Sequence, residues 1–519
     1  MDIIIFKAIL ALCSSFAIYN SCRKCIHMLQ LNSYQYPGYF RTIFRIRSWF
    51  IPFFFMCVFA LPVALLFGNT YAAFIVVSVL YLLFGAVRKP DRYAKKKLVY
   101  TNRVKRLLIT VCVLIAAGDA VLFFIPERAA MCLTVCFYAL STFTVLAANL
   151  INTPVEKLIN LHYINDAKRI LRETGAHIIG ITGSYGKTSV KFYLSALLRE
   201  KYDVLNTPSS YNTPLGIVRT VREHMSPLNE IFVCEMGARH VHDIKEICDI
   251  VHPDMGIITS IGEQHLETFH TFENIRKTKL ELADAVDAKN HGLIFINADS
   301  VRDCDKLPYK NIITYGTTSA CDYIADDVKL SQDGMEFTVR YGDESERYTT
   351  LLLGSHNILN LLGAIAVAHE MGIGFSELRR RVLRIAPVEH RQELRRMANG
   401  VIIDDAFNSN PAGAKSALET LSCFDGCRIL ITPGMVELGD REYELNREFG
   451  IQAAQVCDYV FLVGKVHTES IYDGLISQGF DKSRITTAPN FNDAMSQAQS
   501  MRCDGMKAIL IENDLPDNY

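Results

Sequence analysis

The strongest constraint on the fold is the segment at residues 177–200, in which an apolar run passes through a glycine-containing loop into a helical pattern. The run His177–Ile181 predicts a strand, and the stretch after Ser189 predicts a helix. Gly183 and Gly186 lie between them, where the chain must wrap closely around a ligand. A phosphate-binding loop requires this order of strand, loop and helix, because the unpaired N–H groups at a helix N-terminus attract anions.

The residues at the start of the predicted helix fit the same interpretation. Lys187 would neutralise charge on the β- and γ-phosphates of a nucleotide, and the Thr188 hydroxyl would bind Mg²⁺. Ser184 and Ser189 complete the predicted nucleotide-binding loop. The segment departs from the general pattern at Ile181, where a glycine is usual, so a glycine-rich turn without a ligand is the alternative.

The first 150 residues differ in composition from the rest of the chain. They carry 16 Lys and Arg against 4 Asp and Glu, whereas the remaining residues carry 38 against 51. A chain of 519 residues is long enough for two or three domains. We predict about five transmembrane helices within residues 1–152, because about 20 helical residues span the ~30 Å bilayer core. The apolar runs cover residues 3–19, 48–67, 70–87, 107–125 and 129–150.

The basic residues among the first 150 residues predict the orientation of the membrane spans. They concentrate at residues 20–47 and 88–106, which are therefore expected on the cytoplasmic side. An odd number of spans then delivers the rest of the chain to the cytoplasm. We predict a multi-pass cell-membrane protein with cytoplasmic catalytic domains and membrane lipids as partners. Its fifteen scattered cysteines are expected to be reduced thiols.

The remaining residues alternate apolar strands with amphipathic helices, which predicts an α/β fold with mostly parallel sheets. A central domain is predicted over residues 153–387, with a nucleotide-binding sheet and antiparallel hairpins at 324–353. A doubly wound, Rossmann-like domain is predicted over residues 388–519. The predicted strands are 177–181, 203–205, 230–234, 255–260, 292–296 and 311–315 in the first domain, and 400–403, 428–432, 459–463 and 507–511 in the second.

Polar motifs follow several of these strands, at the sheet edge where ligands bind in open α/β folds. Glu235 lies in the segment Ile231–Gly237, where the predicted strand ends, and suits a carboxylate that meets Mg²⁺ at the loop. The other motifs, in chain order, are Ile261–Phe269 with His265, Lys277–Glu281 with Lys279, Gly354–Ala364, Glu389–Glu393, Asp404–Pro411 and Gly434–Gly439.

This ordered set of motifs resembles the Mur ligase family, the ATP-dependent amide ligases of peptidoglycan precursor synthesis, over residues 176–519. The Asp404–Pro411 and Gly434–Gly439 motifs are most similar to the family members that add D-alanyl-D-alanine. The resemblance implies that ATP phosphorylates a substrate carboxylate, and that an amine then displaces the phosphate to form an amide.

The resemblance also implies roles for individual residues. Lys187, His265 and Lys279 are expected to be catalytic. The expected Mg²⁺ ligands are Thr188, Glu235, His265 and Lys279, the last as a carbamate whose oxygens replace the repelling ammonium. The expected ATP-binding residues are Gly183, Ser184, Gly186, Lys187, Thr188, Ser189, Asn357, Asn360, Arg391 and Asp405. The expected substrate-binding residues are Asn212, Asn408 and Asn410.

The chain departs from the family pattern in the features that would select the acid substrate. Of the family loop Asn-x-Asn-Asn only Asn212 remains, and Tyr185 stands in the phosphate-binding loop where the family has asparagine. Apolar runs replace the domain that recognises a UDP-sugar. We therefore expect a peptide or lipid-linked carboxylate as one substrate, an amino acid or dipeptide amine as the other, and no nucleic acid. The alternatives are a polyglutamate-type ligase, a membrane ATPase coupled to transport, and a nucleotide sensor without turnover.

Overall fold

A computed structural model describes residues 2–45, 50–87, 97–301, 303–407, 409–436, 438–465, 467–503 and 505–513. This part of the chain forms two compact units, the first ending at His162 and the second beginning at Tyr163. No disulfide bond joins any of the fifteen cysteines, all of which lie within the described residues.

The first unit is helical wherever the structure describes regular elements. Apolar side chains such as Leu10, Tyr39, Phe74 and Met131 pack together and are fully or almost fully buried. The helices are α1 (Asp2–Leu31), α2 (Tyr36–Arg45), α3 (Ile51–Leu66), α4 (Thr70–Val87), α5 (Asn102–Leu122), α6 (Glu127–Ala139) and α7 (Ser141–Thr174), of which α7 runs past His162.

The prediction of five membrane spans is not supported. In the described part of the chain, one helix, Ile3–Leu31, is long and apolar enough to cross a membrane. The helices α6 and α7 pass the same test only if the pair, which is bent by 70°, is counted as one span. The first predicted run is also extended, because α1 continues to Leu31.

The remaining predicted spans fail for separate physical reasons. The 16 residues of α3 reach about 24 Å at ~1.5 Å each, which is short of a ~30 Å bilayer core. The fourth predicted run, 107–125, begins within α5. This helix starts at Asn102 and therefore also contains the charged residues Arg103, Lys105 and Arg106. The start of the second predicted run, residues 48–49, and the basic segment 88–96 lie outside the described residues.

Ionisable side chains of the first unit have local partners. The Lys7 ammonium donates a hydrogen bond to the Ile125 carbonyl at 2.6 Å, and the Ser15 hydroxyl donates to the Asp119 carboxylate at 2.5 Å. Arg106 donates to both carboxylate oxygens of Glu156, at 2.6 and 2.8 Å. These short-range pairs do not make the connected polar path that transport would need.

The second unit contains a nine-stranded sheet, in the order β2-β3-β1-β4-β5-β6-β7-β8-β9. Its strands are β1 (His177–Thr182), β2 (Val204–Asn206), β3 (Ile231–Glu235), β4 (Met255–Ile258), β5 (Leu293–Asn297), β6 (Ile312–Gly316), β7 (Tyr323–Ser331), β8 (Gly334–Tyr341) and β9 (Glu344–Thr350). The first seven strands pair in parallel, and β7, β8 and β9 pair antiparallel, which confirms the predicted hairpins.

Helices of this part connect the strands or follow the sheet. They are α8 (Lys187–Leu198), α9 (Pro214–His224), α10 (Asp243–Val251), α11 (Leu266–Phe269), α12 (Phe272–Asp287), α13 (His356–Glu370) and α14 (Phe375–Val382), with a 3₁₀ turn at Cys304–Lys306. The strands β1 and β3 are apolar along most of their length because both of their faces are covered.

A six-stranded sheet follows in the same unit, in the order β10-β11-β15-β12-β13-β14. Its strands are β10 (Glu393–Met397), β11 (Gly400–Asp405), β12 (Cys427–Thr432), β13 (Tyr459–Val463), β14 (Ile485–Ala488) and β15 (Lys507–Glu512). Its helices are α15 (Pro411–Ser422), α16 (Glu442–Val456), α17 (Glu469–Ser477) and α18 (Phe491–Ser500), with 3₁₀ turns at Gly439–Arg441 and Lys482–Arg484.

The four strands predicted in this sheet are present, and all of them pair in parallel. The two edge strands, β10 and β14, were not predicted, because their short and polar sequences lack an apolar run. Strand β10 pairs antiparallel with β11. The α/β class is therefore confirmed, with a mostly parallel second sheet that ends in Asp405 and Glu512 on neighbouring strands.

Candidate active site

The loop between β1 and α8 has the geometry of a tight anion cradle. Gly183 and Gly186 have φ angles of +152° and +81°. A Cβ atom at Gly183 would lie 2.0 Å from the Thr259 hydroxyl oxygen, and one at Gly186 would lie 2.3 Å from Asn360 Oδ1. Glycine is therefore required at both positions, so that the backbone N–H groups at the start of α8 can approach a phosphate.

Lys187 is the first residue of α8, and its side chain folds back onto the phosphate-binding loop. Its ammonium donates hydrogen bonds to the carbonyls of Gly183 at 2.7 Å and Ser184 at 3.0 Å. Burial lowers the pKa of Lys187 to about 8, against the opposing charge of Glu235. The Ser184 hydroxyl donates to the Gly262 carbonyl at 2.9 Å, so this side chain ties the loop to the segment after β4.

Glu235 ends β3, beside the end of β1, and its side chain is 1% exposed. One carboxylate oxygen accepts hydrogen bonds from the Thr188 hydroxyl at 3.1 Å and the Asn212 amide at 2.9 Å. The other oxygen accepts from the Lys191 ammonium at 3.0 Å. Burial raises the pKa of Glu235, but Lys191 and Lys187 lower it more, so the net shift is downward. The carboxylate is thus kept ionised.

The Thr188 and Glu235 oxygens fit a magnesium ion. Adjacent oxygen ligands around Mg²⁺ lie about 3 Å apart when each Mg–O distance is ~2.1 Å. The 3.1 Å between Thr188 Oγ1 and Glu235 Oε1 matches that separation. Asn212, predicted to bind substrate, instead directs its amide to Glu235 in this structure.

Lys191 is a site residue that the sequence analysis missed. It lies four residues after Lys187, one turn further along the same face of α8. The side chain is fully buried and donates to a Glu235 oxygen and to the Ser209 carbonyl. The i, i+4 spacing was the available signal. Lys191 holds one Glu235 oxygen, which leaves the other for the Thr188 side.

The two other predicted metal ligands lie on different elements. Lys279 is on α12 and is 2% exposed. Burial, followed by the charge of Lys187, lowers its pKa well below the usual range, which favours a neutral amine. His265 precedes α11 in the left-handed conformation, with φ of 54°. The metal-binding roles of Lys279 and His265 stay predictions.

A cavity of about 670 Å³ lies beside the loop. Of the predicted residues, it is lined by Gly186, Ser189, Asn360, Arg391, Asp405 and Asn410. Asn357 is not among its lining residues: the side-chain amide donates to the Leu353 carbonyl at 2.7 Å, and the side-chain oxygen accepts from Asn360 at 3.2 Å. Asn357 therefore supports Asn360, which faces the cavity.

Residues around the second sheet complete the cavity wall. The Arg391 guanidinium donates to the Thr188 hydroxyl at 3.4 Å and lies 4.5 Å from the centre of the Phe407 ring. Burial raises the pKa of Asp405 to about 6, although Arg391 opposes the shift. Asn410 caps α15 by accepting a hydrogen bond from the Gly413 N–H at 2.9 Å. Asn408 lies outside the described residues.

Glu512 lines the cavity and is the second site residue, after Lys191, that the sequence analysis missed. It ends β15, and strand-end position was the same signal that identified Glu235. The signal was weak here because Glu512 lies outside the family motifs.

The two parts of the second unit meet through polar contacts around the cavity. The His356 ring and the Ser416 hydroxyl are 2.8 Å apart, and the Ser355 hydroxyl donates to Glu419 at 3.0 Å. Arg441 forms a salt bridge with Glu263 in the loop after β4. These contacts hold the Arg391 side of the cavity against the phosphate-binding loop.

Comparison with known proteins agrees with this geometry. Residues 181–368 match the model of the Mur ligase middle domain, and residues 390–511 match that of the Mur ligase, glutamate ligase domain. The UDP-N-acetylmuramoyl-tripeptide–D-alanyl-D-alanine ligase of Bacillus subtilis is 31% identical over 351 residues, which are 66% of this chain and 74% of that protein. The chain belongs to the Mur ligase family. It is therefore an ATP-dependent ligase of that family.

Other relatives extend the comparison. The Escherichia coli protein of the same name is 26% identical over 66% of this chain and 77% of its own length. MurF from Acinetobacter baumannii has the same fold, with a TM-score of 0.62 at 20% identity over 68% of this chain and 77% of that chain. The MurF ligase of Thermotoga maritima, solved with ADP, has a TM-score of 0.59 at 24% identity, with coverages of 68% and 80%.

We predict that Lys191→Met lowers the free energy of unfolding by about 3–5 kcal/mol, because the buried Glu235 charge loses its partner. Urea unfolding of the full chain measures the change. Adding Glu235→Gln should recover part of the loss, since neither charge then remains. The control Lys201→Met removes an exposed lysine and should cost less than about 1 kcal/mol. An unchanged midpoint for Lys191→Met would contradict the buried pair.

We also predict an acid-sensitive contact at His356. Burial, assisted by Arg391, lowers the pKa of His356 from 6.5 to about 4, so the unfolded chain binds this proton more readily than the folded chain. The stabilisation is complete above pH 6.5 and is lost as the pH falls towards 4, by about 3 kcal/mol. Unfolding of wild type and His356→Gln between these pH values measures it. In His356→Gln the free energy of unfolding should fall less steeply as the pH is lowered. The control His224→Gln, at an exposed position, should show the same pH dependence as wild type.

Proposed function

We propose that this Mur ligase joins D-alanyl-D-alanine, or a similar amine, to the carboxyl group of a cell-wall precursor peptide at the membrane. The observation that carries the proposal is the Thr188 and Glu235 pair beside the phosphate-binding loop, with Arg391 reaching it from the second sheet. The names of the B. subtilis and E. coli relatives support this choice of amine and peptide. The acid could be a nucleotide-linked or a lipid-linked peptide.

The proposed reaction has two steps. An oxygen of the substrate carboxylate attacks the γ-phosphorus of ATP, the bond to the β-phosphate oxygen breaks, and ADP and an acyl phosphate result. The amine nitrogen then attacks the acyl carbon and loses a proton, and inorganic phosphate leaves as the amide forms. Both steps depend mainly on positioning and on neutralising phosphate charge.

Side chains of the site fit these needs. Lys187 and the N–H groups at the start of α8 bind the phosphates, and Arg391 adds positive charge near Thr188. Thr188 and Glu235 would hold Mg²⁺, which neutralises charge on the transferred phosphate. Lys279 would add a ligand as a carbamate, since a neutral buried amine can react with CO₂, and His265 would complete the second metal site. Asn360 would contact the nucleotide.

Catalysis by the purified full-length protein tests the proposal. We expect phosphate release from ATP to require both UDP-N-acetylmuramoyl-tripeptide and D-alanyl-D-alanine, with the ligated product visible by mass spectrometry. Lys187→Ala should reduce the rate by about 10²–10³-fold, because charge stabilisation of the transferring phosphate is lost. Lys201→Ala, an exposed lysine, is the matched control. Phosphate release indifferent to both substrates would contradict the ligase proposal and favour an ATPase.

The first unit is proposed to anchor the enzyme in the cell membrane. Large apolar side chains are widely exposed on it, including Leu12 at 73%, Leu66 at 81% and Phe124 at 89%. Exposed apolar surface on this scale is typical of a membrane interaction site. The helix α1 is the proposed span, with Arg23 and Lys24 towards the cytoplasmic side.

Membrane fractionation tests the anchor separately from catalysis. The full-length protein should remain in the pellet after alkaline carbonate extraction, because a spanning helix is held by the bilayer core. Protease added to intact spheroplasts should leave the second unit uncut, whereas inverted vesicles should expose it. Recovery of the protein in the carbonate supernatant would contradict a spanning anchor, and cutting of the second unit in intact spheroplasts would contradict its cytoplasmic location.

A further inference from the structure

Two carboxyl side chains end neighbouring strands of the second sheet at the cavity. Asp405 closes β11 and Glu512 closes β15, and the two residues are direct partners in the parallel register. Both line the cavity that also contains Arg391. The fold therefore brings two acidic groups to the same end of the sheet, where ligands of α/β proteins bind.

One oxygen of Glu512 lacks a hydrogen-bond partner. The side chain is 1% exposed, and its Oε1 accepts a hydrogen bond from the Ser409 hydroxyl at 2.6 Å. In the described part of the chain, no donor reaches the buried Oε2. A buried carboxylate oxygen without a donor is costly, and it is usually explained by a function or by a missing ligand.

The charge of this wall favours a cation. Arg391 is in electrostatic reach of Asp405, but its guanidinium donates to Thr188 and stacks on Phe407. Burial raises the pKa of both carboxyls, so their ionised forms need a cation beside them, whereas the phosphates of ATP would be repelled by that charge. A cation with N–H donors would instead supply the missing hydrogen bond.

A magnesium ion is a poorer match than an ammonium group. Magnesium takes six oxygen ligands in near-ideal octahedral geometry. Here the Ser409 hydroxyl already donates its proton to Glu512, which leaves the carboxyl oxygens of Asp405 and Glu512 at the ends of the two strands. An ammonium group needs acceptors for three N–H donors and tolerates an incomplete oxygen shell.

We propose that Glu512, together with Asp405 and positioned by Ser409, binds the ammonium group of the incoming amine substrate. The inference rests on the proposed ligase function and adds to it the residue that recognises the amine. The nucleotide and the acid would then occupy the cationic side of the cavity, near Lys187 and Arg391. Glu512 would hold the ammonium group close to the acyl carbon, one ammonium proton would pass to water, and the neutral amine would then attack.

The isosteric variant Glu512→Gln tests the inference in the full-length protein. Initial rates with D-alanyl-D-alanine should give a KM for the amine raised about 10-fold or more, because a charge-assisted hydrogen bond is lost. The KM values for ATP and for UDP-N-acetylmuramoyl-tripeptide should stay within about two-fold. Ser409→Ala should raise the amine KM by a smaller factor, since the carboxylate keeps its charge and loses its positioning hydroxyl. Glu448→Gln, at an exposed position on α16, is the control.

A second readout does not need the amine to react. The analogue of D-alanyl-D-alanine with hydroxyl in place of its amino group should inhibit wild type much more weakly than the N-methylated amine does. In Glu512→Gln this difference should disappear, because the cation no longer meets a carboxylate. Unchanged discrimination, or an amine KM equal to that of wild type, would overturn the assignment of Glu512.

Isotope exchange separates this inference from the proposed function. Acyl phosphate formation scrambles the β,γ-bridging oxygen of ATP when the acid is present without the amine. Wild type and Glu512→Gln should exchange at similar rates, and this result with a raised amine KM supports the inference. Loss of exchange in the variant alone would overturn it, by showing a general defect of the site. Absence of acid-dependent exchange in wild type would instead refute the proposed function.

Discussion

The buried carboxylate of Glu235 is the interaction on which the rest of the site depends. It ends β3 directly beside β1, so the parallel pairing of these strands brings it to the phosphate-binding loop. A carboxylate that is 1% exposed would normally take up a proton. Lys191, Asn212 and Thr188 prevent this by donating three hydrogen bonds to its two oxygens. The charge that a metal ion needs is therefore present before the ion binds.

Tight packing around the loop makes this arrangement rigid. The glycines at 183 and 186 leave room for Thr259, which directly follows β4, and for Asn360 of α13, both of which lie against the loop. Asn357 fixes Asn360 through a hydrogen bond and is itself anchored to the Leu353 carbonyl. The family resemblance implies that both asparagines contact the nucleotide. In the structure Asn360 faces the cavity, and Asn357 supports Asn360.

The sequence predicted the catalytic fold well because its signals are local. Each central strand is a short apolar run, and the loop, its glycines and Thr188 follow directly on one such run. The edge strand β10 was missed because its sequence, Glu-Leu-Arg-Arg-Met, is stabilised by pairing with β11 rather than by burial. Lys191 was missed for a similar reason: a lysine in a helix usually lies in solvent, and only the tertiary fold places Glu235 opposite it.

The prediction of five membrane spans failed because each apolar run was assumed to form one long, straight helix. Apolar runs of 16–20 residues suit a spanning helix only if they are also uninterrupted helices. The fifth run is divided at Leu140, where α6 and α7 meet at 70°, and the fourth shares its helix with three basic residues. Hydropathy alone cannot detect a bend, because both arms of a broken helix are equally apolar.

The site combines two walls of opposite charge, and Arg391 connects them. Lys187 and Lys191 lie on α8 beside the phosphate-binding loop, whereas Asp405 and Glu512 end strands of the second sheet. Arg391 donates to Thr188 on the first wall, and its charge opposes the rise in the pKa of Asp405 on the second. The Arg391 to Thr188 contact exists only when the second sheet is docked against the loop, as Arg441 and Glu263 hold it. The docking of the second sheet therefore places Arg391 beside Lys187 for phosphate binding. It also brings Asp405 and Glu512 close to the phosphate-binding loop, so that an anionic and a cationic substrate would bind next to each other.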